Sequence, residues 1–325
     1  MSSHAIQVHQ PGGPEALQWD EVQVGEPGEG QVRLRQNAVG LNYIDVYFRT
    51  GLYPAPGSPF TPGMEGVGVV EAVGPGVSNV HVGSRVAYGR NLGGYAEVRN
   101  IDAGFVIPVP DDISDETAAA MMLQGMTTEY LAERCFPVQS GQTVLFHAAA
   151  GGVGLMFCQW ARALGATVIG TVGSEEKARL AQAHGCEHVI RYQEEDFVER
   201  VRELTGGKGV PVVYDGVGKD TFMGSLDCLS PRGTMVSFGN ASGKVDPVDI
   251  GILSGKGSLY VTRPTLMTYT ATPEDFRLSA NRVIEMVLEG NLKIEVHQTF
   301  PLKDAADAHR ALEGRQTTGS TVLIP

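Results

Sequence analysis

The chain has 325 residues, 42% apolar and 19% charged, which suits a globular protein of about two domains and excludes compositional disorder. Acidic residues outnumber basic ones 37 to 25, so a broad nucleic-acid-binding surface is not expected, although one local basic pocket for a phosphate is compatible with that balance. No apolar run is long enough to cross a membrane, and Met-Ser-Ser-His-Ala-Ile lacks the basic-then-apolar order of a leader, so a cytoplasmic protein is expected.

The first third reads as β-rich. Ala5–Val8, Leu17–Val24, Gln31–Val39, Gly66–Val73, Ser84–Tyr88 and Tyr95–Val98 are short apolar or alternating runs, punctuated by turns such as Pro11-Gly12-Gly13-Pro14. Many short strands predict a partly closed barrel or sandwich. After about residue 120 the rhythm changes. Strand candidates Thr143–His147, Thr167–Val172, His188–Tyr192, Val210–Asp215, Thr234–Gly239 and Ser258–Thr262 follow in order. Helical stretches Gly152–Leu164, Glu175–His184 and Glu195–Thr205 separate the first four of them. Alternation of this kind predicts an α/β fold with a doubly wound parallel sheet. From about Pro273 two amphipathic helices and a closing strand, Ser320–Ile324, are expected to return to the first domain. The expected division is residues 1–124, 125–266 and 267–325.

Ala148-Ala149-Ala150-Gly151-Gly152-Val153-Gly154 follows a strand and opens a helix. Small residues there let the backbone approach a pyrophosphate, and the helix start offers unpaired N–H groups and a positive dipole end. The spacing is Ala-x-x-Gly-x-x-Gly, a variant of the usual dinucleotide fingerprint. NAD-preferring sites place an acid at the end of the second strand. Here that strand ends Thr171-Val172-Gly173-Ser174, with Lys177 following on the next helix and Tyr192 ending the third strand. A small residue, a hydroxyl and a cation suit a 2′-phosphate, so NADPH is expected over NADH. Glu175 and Glu176 read either as ribose ligands or as acids favoured by the helix start.

Cys135, Cys158, Cys186 and Cys228 are scattered and form no CxxC pair. Free, mostly buried thiols are expected, with no cysteine-rich zinc site. His147 reads as a strand-end residue rather than a catalytic base.

Phe146–Gly154 resembles the cofactor loop of quinone oxidoreductases in the medium-chain dehydrogenase/reductase superfamily. The resemblance extends to Asn42-Tyr43-Ile44-Asp45-Val46-Tyr47 with Arg49, Gly51-Leu52-Tyr53, Pro62–Gly66, Val213–Gly218, Ser237–Ser242 and Val261–Pro264, and so runs along the whole chain. It is closest to the zinc-independent, zeta-crystallin-like NADPH:quinone oxidoreductases. It implies a GroES-like catalytic domain beside a Rossmann domain, and a homodimer formed through the edge strand near Ser258–Thr262. The zinc branch carries Cys within the segment here read Asn42–Asp45, and Gly-His-Glu where this chain has Gly63-Met64-Glu65. No metal is therefore expected, and Met64 reads as a packing residue.

Without a Lewis acid the substrate must already be electrophilic, as quinones and conjugated enones are. By position the resemblance implies Asn42, Tyr47 and Tyr53, with Tyr43 and Asp45, as candidates lining the cleft. Tyr47 is a candidate donor to a quinone oxygen, with water as the alternative proton source, and Asp45 reads equally as a local cap. For the cofactor it implies Asn42, Tyr130, Gly152, Val153, Gly173, Ser174, Lys177, Tyr192, Phe238, Asn240, Ser242, Arg263 and Arg315. The expected activity is NADPH-dependent quinone reduction. An enone or alkenal double-bond reductase would share every motif, and a non-catalytic NADPH- or RNA-binding protein is the alternative of another class.

Overall fold

The computed structural model describes residues 1–325, which divide into two compact units. The first comprises Met1–Met126, Thr270–Glu289 and Ile294–Pro325; the second comprises Thr127–Tyr269 and Gly290–Lys293.

The first unit begins with a hairpin, β1 (Ser2–Val8) against β2 (Leu17–Gln23). There follow β3 (Gln31–Leu41), α1 (Tyr43–Arg49), β4 (Glu65–Val73), β5 (Arg85–Tyr88), β6 (Val98–Asp102), β7 (Ile107–Pro108) and α2 (Asp115–Glu129). The second unit carries β8 (Thr143–Phe146), α3 (Gly152–Ala163), β9 (Thr167–Val172), α4 (Glu175–Ala183), β10 (His188–Arg191), α5 (Phe197–Leu204) and β11 (Val210–Asp215). It continues with α6 (Phe222–Cys228), β12 (Leu229–Ser237), α7 (Gly251–Gly255), β13 (Tyr260–Thr262) and α8 (Leu266–Tyr269). The chain then rejoins the first unit with α9 (Pro273–Leu288), β14 (Val296–Pro301), α10 (Ala305–Glu313) and β15 (Ser320–Ile324).

The sheet of the first unit runs β14-β15-β3-β4-β5-β7, with β6 also paired to β3. The closing strand β15 thus lies inside it, antiparallel to β3 through Thr321–Leu41, Val322–Gly40 and Leu323–Val39. Two apolar clusters fill this unit, one around Ile6, Leu41, Tyr95, Leu302 and Leu323, the other around Leu34, Val70, Val86 and Ile101. The second unit is a parallel sheet in the order β10-β9-β8-β11-β12-β13, the doubly wound arrangement expected from the alternating pattern. Leu145, Ile169, Val213, Leu226 and Met235 form its core.

Several expected strands shift: Thr234–Gly239 becomes Leu229–Ser237 and Ala5–Val8 becomes Ser2–Val8, and two others change for visible reasons. Tyr95–Val98 is not a strand: Tyr95 N donates to Pro62 O and Ala96 N to Gly94 O, and pairing with β3 starts at Val98. Ser258–Thr262 contracts to Tyr260–Thr262, because Ser258 takes a left-handed φ of 58° that no strand accommodates. Helix α2 had no periodic signal. Its Ala118, Ala119, Ala120, Met121, Met122 and Met126 are all buried, so no polar face marks the turn.

Candidate active site

In the second unit the loop after β8 is shaped by backbone. Ala148 has φ 58°, Ala149 N donates to Thr171 O at 3.0 Å, and Gly151 N donates to Ala148 O at 3.0 Å. A Cβ on Gly154 would lie 2.4 Å from Ala148 O, so only glycine lets α3 begin this close to the loop. The start of α3 receives no side-chain cap, because Gly151 has none to give. By contrast Ser174 caps α4 at Lys177 N, and Asp196 caps α5 at Val198 N and Glu199 N. The N–H groups of the first turn, at Gly152 and Val153, are those an α-helix leaves without an internal partner, and they suit a pyrophosphate.

Beneath the loop lies a buried polar network. His147 places Nδ1 2.9 Å from Thr171 Oγ1 and Nε2 3.0 Å from Ser225 Oγ. Ser225 donates to Asp215 Oδ2 at 3.0 Å, while Asp215 Oδ1 accepts from Val217 N and Gly218 N. Burial holds the His147 imidazole below its usual value, against the pull of Asp215. His147 N also donates to Tyr214 O. This histidine is fully buried and serves structure, but it is held by side chains as well as backbone.

The structure brings Gly173, Ser174, Lys177 and Tyr192 together. A Cβ on Gly173 would lie 2.8 Å from the Tyr192 hydroxyl, and Ser174 Oγ accepts from Lys177 N at 3.3 Å. Glu175 is occupied by ion pairs with Arg179 and Arg191, both at 3.3 Å. Other residues expected to touch a cofactor hold each other. Arg263 Nη1 donates to Ser237 O at 2.8 Å and Gly239 O at 3.0 Å; Asn240, its amide turned to satisfy both neighbours, accepts from Arg263 Nη2 at 2.9 Å. Ser242 Oγ donates to Val217 O and accepts from Asp220 N. Phe238 packs tilted against Phe146, with centroids 5.7 Å apart. Tyr130 opens a six-residue π-helical turn and stacks on Tyr269 at 4.6 Å. Arg315 belongs to the first unit, exposed, and its charge is felt at the Tyr43 phenol; burial, the larger influence, raises that phenol above its ordinary value.

In the first unit α1 opens at Asn42. Asp45 Oδ2 accepts from Asn42 N at 2.9 Å, so Asp45 is a helix cap, one of the two roles the sequence left open. It also accepts from Tyr95 Oη at 2.9 Å, which lies 3.1 Å from His309 Nε2. His309 Nδ1 is 2.9 Å from Arg49 Nη1, and the buried Arg49 guanidinium forks onto Glu313 at 2.8 Å and 2.8 Å. Arg49 only donates, so His309 accepts at Nδ1 and carries its proton on Nε2. The donors then run in one direction, from Arg49 through His309 and Tyr95 to Asp45. Burial and the Arg49 charge push His309 down to about 3; burial pushes Asp45 up to about 7, against bonds from Asn42 and Tyr95.

A second chain meets the Asn42 side chain. Its Nδ2 donates to Glu65 Oε1 at 2.6 Å, and its Oδ1 accepts from Gln124 Nε2 at 3.0 Å. Glu65 Oε2 accepts from Leu123 N at 2.8 Å, and Gln124 Oε1 accepts from Ser320 Oγ at 3.0 Å. Burial pushes the Glu65 carboxyl up to about 8. On α1 and just after it, the rings of Tyr47 and Tyr53 meet edge-on at 5.1 Å, and Tyr43 lies 6.3 Å from Tyr47. The roles of Tyr95, His309, Gln124 and Ser320 were not read from sequence. A lone glutamine inside an alanine- and methionine-rich helix was the one available signal.

Zinc does not fit this donor set. The Asn42 amide is engaged at both ends and Met64 is a buried thioether. No His, Cys, Asp and Glu side chains gather in a group of three or more that could hold a metal ion.

Residues 28–111 match the family described as alcohol dehydrogenase GroES-like domain, and residues 152–283 the family described as zinc-binding dehydrogenase. A protein named quinone oxidoreductase from Pseudomonas aeruginosa is 54% identical, over 98% of this chain and 99% of the relative. The chain belongs to the quinone oxidoreductase family of the medium-chain dehydrogenase/reductase superfamily. Within that family, the crystal structure of the Escherichia coli quinone oxidoreductase complexed with NADPH is similar, with TM-score 0.97 and 49% identity, covering 99% of this chain and 100% of that one. A 2-haloacrylate reductase from Burkholderia is 48% identical over 99% of this chain and 98% of the relative.

Proposed function

We propose that this member of the family reduces quinones by hydride transfer from NADPH, without a metal, as a cytoplasmic homodimer. The observation that carries the reading is full-length similarity to quinone oxidoreductases, including one crystallised with NADPH. The open start of α3 supports it. Bound NADPH supplies the hydride; the remaining work belongs to this chain.

Gly152 and Val153 bind the pyrophosphate through their N–H groups, and Gly173, Ser174, Lys177 and Tyr192 receive the 2′-phosphate. Arg263, Asn240, Ser242 and Phe238 shape the turn that borders the cofactor, while Tyr130 and Arg315 are further contacts. Asn42 orients the substrate, and Tyr47 and Tyr53 offer it an aromatic wall. Reduction of a quinone to a hydroquinone takes one hydride and one proton; the proton comes from the Tyr47 hydroxyl or from water. The edge strand β13 pairs only with β12 and leaves Tyr260 63% exposed, so its twin in a second subunit is the natural partner.

The test is oxidation of NADPH by purified protein with 1,4-benzoquinone, with NADH in parallel. Fast turnover with NADPH and slow turnover with NADH is expected. Tight NADPH binding without quinone turnover overturns the substrate and keeps the cofactor. The similarity to a 2-haloacrylate reductase favours a second reading, an activated-alkene reductase. Turnover of 2-chloroacrylate exceeding that of benzoquinone selects it.

A further inference from the structure

The side chain of Asn42 has two ends, and the protein decides which faces which way. Glu65 is fully buried, and each of its oxygens faces a donor, Asn42 Nδ2 at 2.6 Å and Leu123 N at 2.8 Å. Leu123 N is a backbone donor and cannot reverse. With Leu123 N on one oxygen, an ionised Glu65 only accepts at the other, so the Asn42 amide turns its nitrogen to Glu65 and its oxygen to Gln124; this sense requires that no proton sit on the oxygen facing Asn42. Gln124 must then donate to Asn42, which leaves its own oxygen for Ser320. All four side chains are buried, and they come from β4, the N-cap of α1, α2 and β15.

We propose that Glu65 and Gln124 are positioning residues, which fix the sense of the Asn42 amide that meets the substrate. This rests on the reading that Asn42 acts on the substrate. The amide's remaining N–H and its remaining lone pair occupy different places, so the sense decides whether a given spot is met by a donor or an acceptor. A quinone oxygen, which only accepts, distinguishes the two.

The chain can be reversed without losing a bond. In E65Q/Q124E the glutamine at position 65 accepts from Leu123 N and donates to Asn42 Oδ1. Asn42 Nδ2 then donates to the carboxylate at position 124, which also accepts from the Ser320 hydroxyl. Net charge and bond count are kept while the Asn42 amide is locked the other way. The expected result is an unchanged unfolding midpoint and a kcat for benzoquinone lowered between about ten- and a hundred-fold. The KM for NADPH stays within about two-fold, because the residues expected to hold its pyrophosphate and 2′-phosphate are untouched. A purely structural role predicts wild-type kcat in this variant, and that outcome overturns the proposal.

Asn42→Ala separates the two levels. If Asn42→Ala is slow and E65Q/Q124E is not, the positioning claim fails and the role of Asn42 stands. If Asn42→Ala turns over as fast as wild type, the reading of Asn42 itself fails. Should E65Q/Q124E not fold, Gln124→Leu read in the same way decides, since an unchanged kcat there is equally fatal.

Discussion

The glycine loop of the second unit and the Asn42 region of the first solve the same problem with different materials. Around residues 148–154 the geometry is backbone: a left-handed alanine, a glycine with no room for a Cβ, and a helix start left without a cap. Around Asn42 it is side chains, with two donor chains ending on the buried carboxyls Asp45 and Glu65. Backbone geometry tolerates no added atom but asks little of its surroundings. Side-chain geometry depends on many partners, each of which titrates or can be deleted alone.

That comparison is broken most severely at Gly154. With Ala148 O only 2.4 Å from the position of an added Cβ, Gly154→Val must displace backbone. The expected cost is at least about 3 kcal/mol of stability, with NADPH affinity lost by about a hundred-fold or more, measured by denaturation and by titration calorimetry. Arg49→Met tests the side-chain design. It leaves His309 Nδ1 without its donor and frees Glu313, which is 34% exposed and can rehydrate. About 3 kcal/mol is expected in chemical denaturation, the low end of the range for a broken buried pair.

A pH series sharpens the contrast further. The Asp45 carboxyl rises from its ordinary 3.8 to about 7 in the fold, so the native state holds its proton more tightly than the unfolded chain does. Its contribution is fully present below pH 3.8 and is lost as pH climbs through about 7. Asp45→Asn should therefore gain stability relative to wild type between those limits, with the gap widest at the alkaline end; a pH-independent gap contradicts the raised carboxyl. His309 acts oppositely: held down to about 3, it withdraws stability as pH falls from 6.5. The smallest effect is expected at Lys177, a side chain attached to a backbone-made site. Lys177→Ala should weaken NADPH by about ten-fold and leave NADH unchanged, since one charge-assisted contact is removed.

The same difference explains what could be read beforehand. The glycine loop, β9, β11 and β15 were legible because local spacing encodes them, and the parallel sheet followed from their alternation. Asp45 was legible as a cap because its partner lies three residues away. The bonds of Tyr95 to His309 and of Gln124 to Ser320 join residues 214 and 196 positions apart, where no local pattern reaches. Arg263 and Ser242 were read as cofactor contacts by position in the family. In the structure both also bond within a turn, Arg263 to Ser237 O and Gly239 O and Ser242 to Val217 O, bonds that only tertiary geometry discloses.

The interior place of β15 also bears on how the molecule is made. The second unit is nearly continuous in sequence and can fold while the ribosome is still working. The first unit must wait for more of the chain. Its sheet has an empty slot between β3 and β14 until Ser320–Ile324 leaves the exit tunnel, after the whole of the second unit. The residues that precede the second unit are therefore completed after it. During that wait β3 presents the unpaired edge of residues 39–41 to any chaperone or neighbouring chain that meets it.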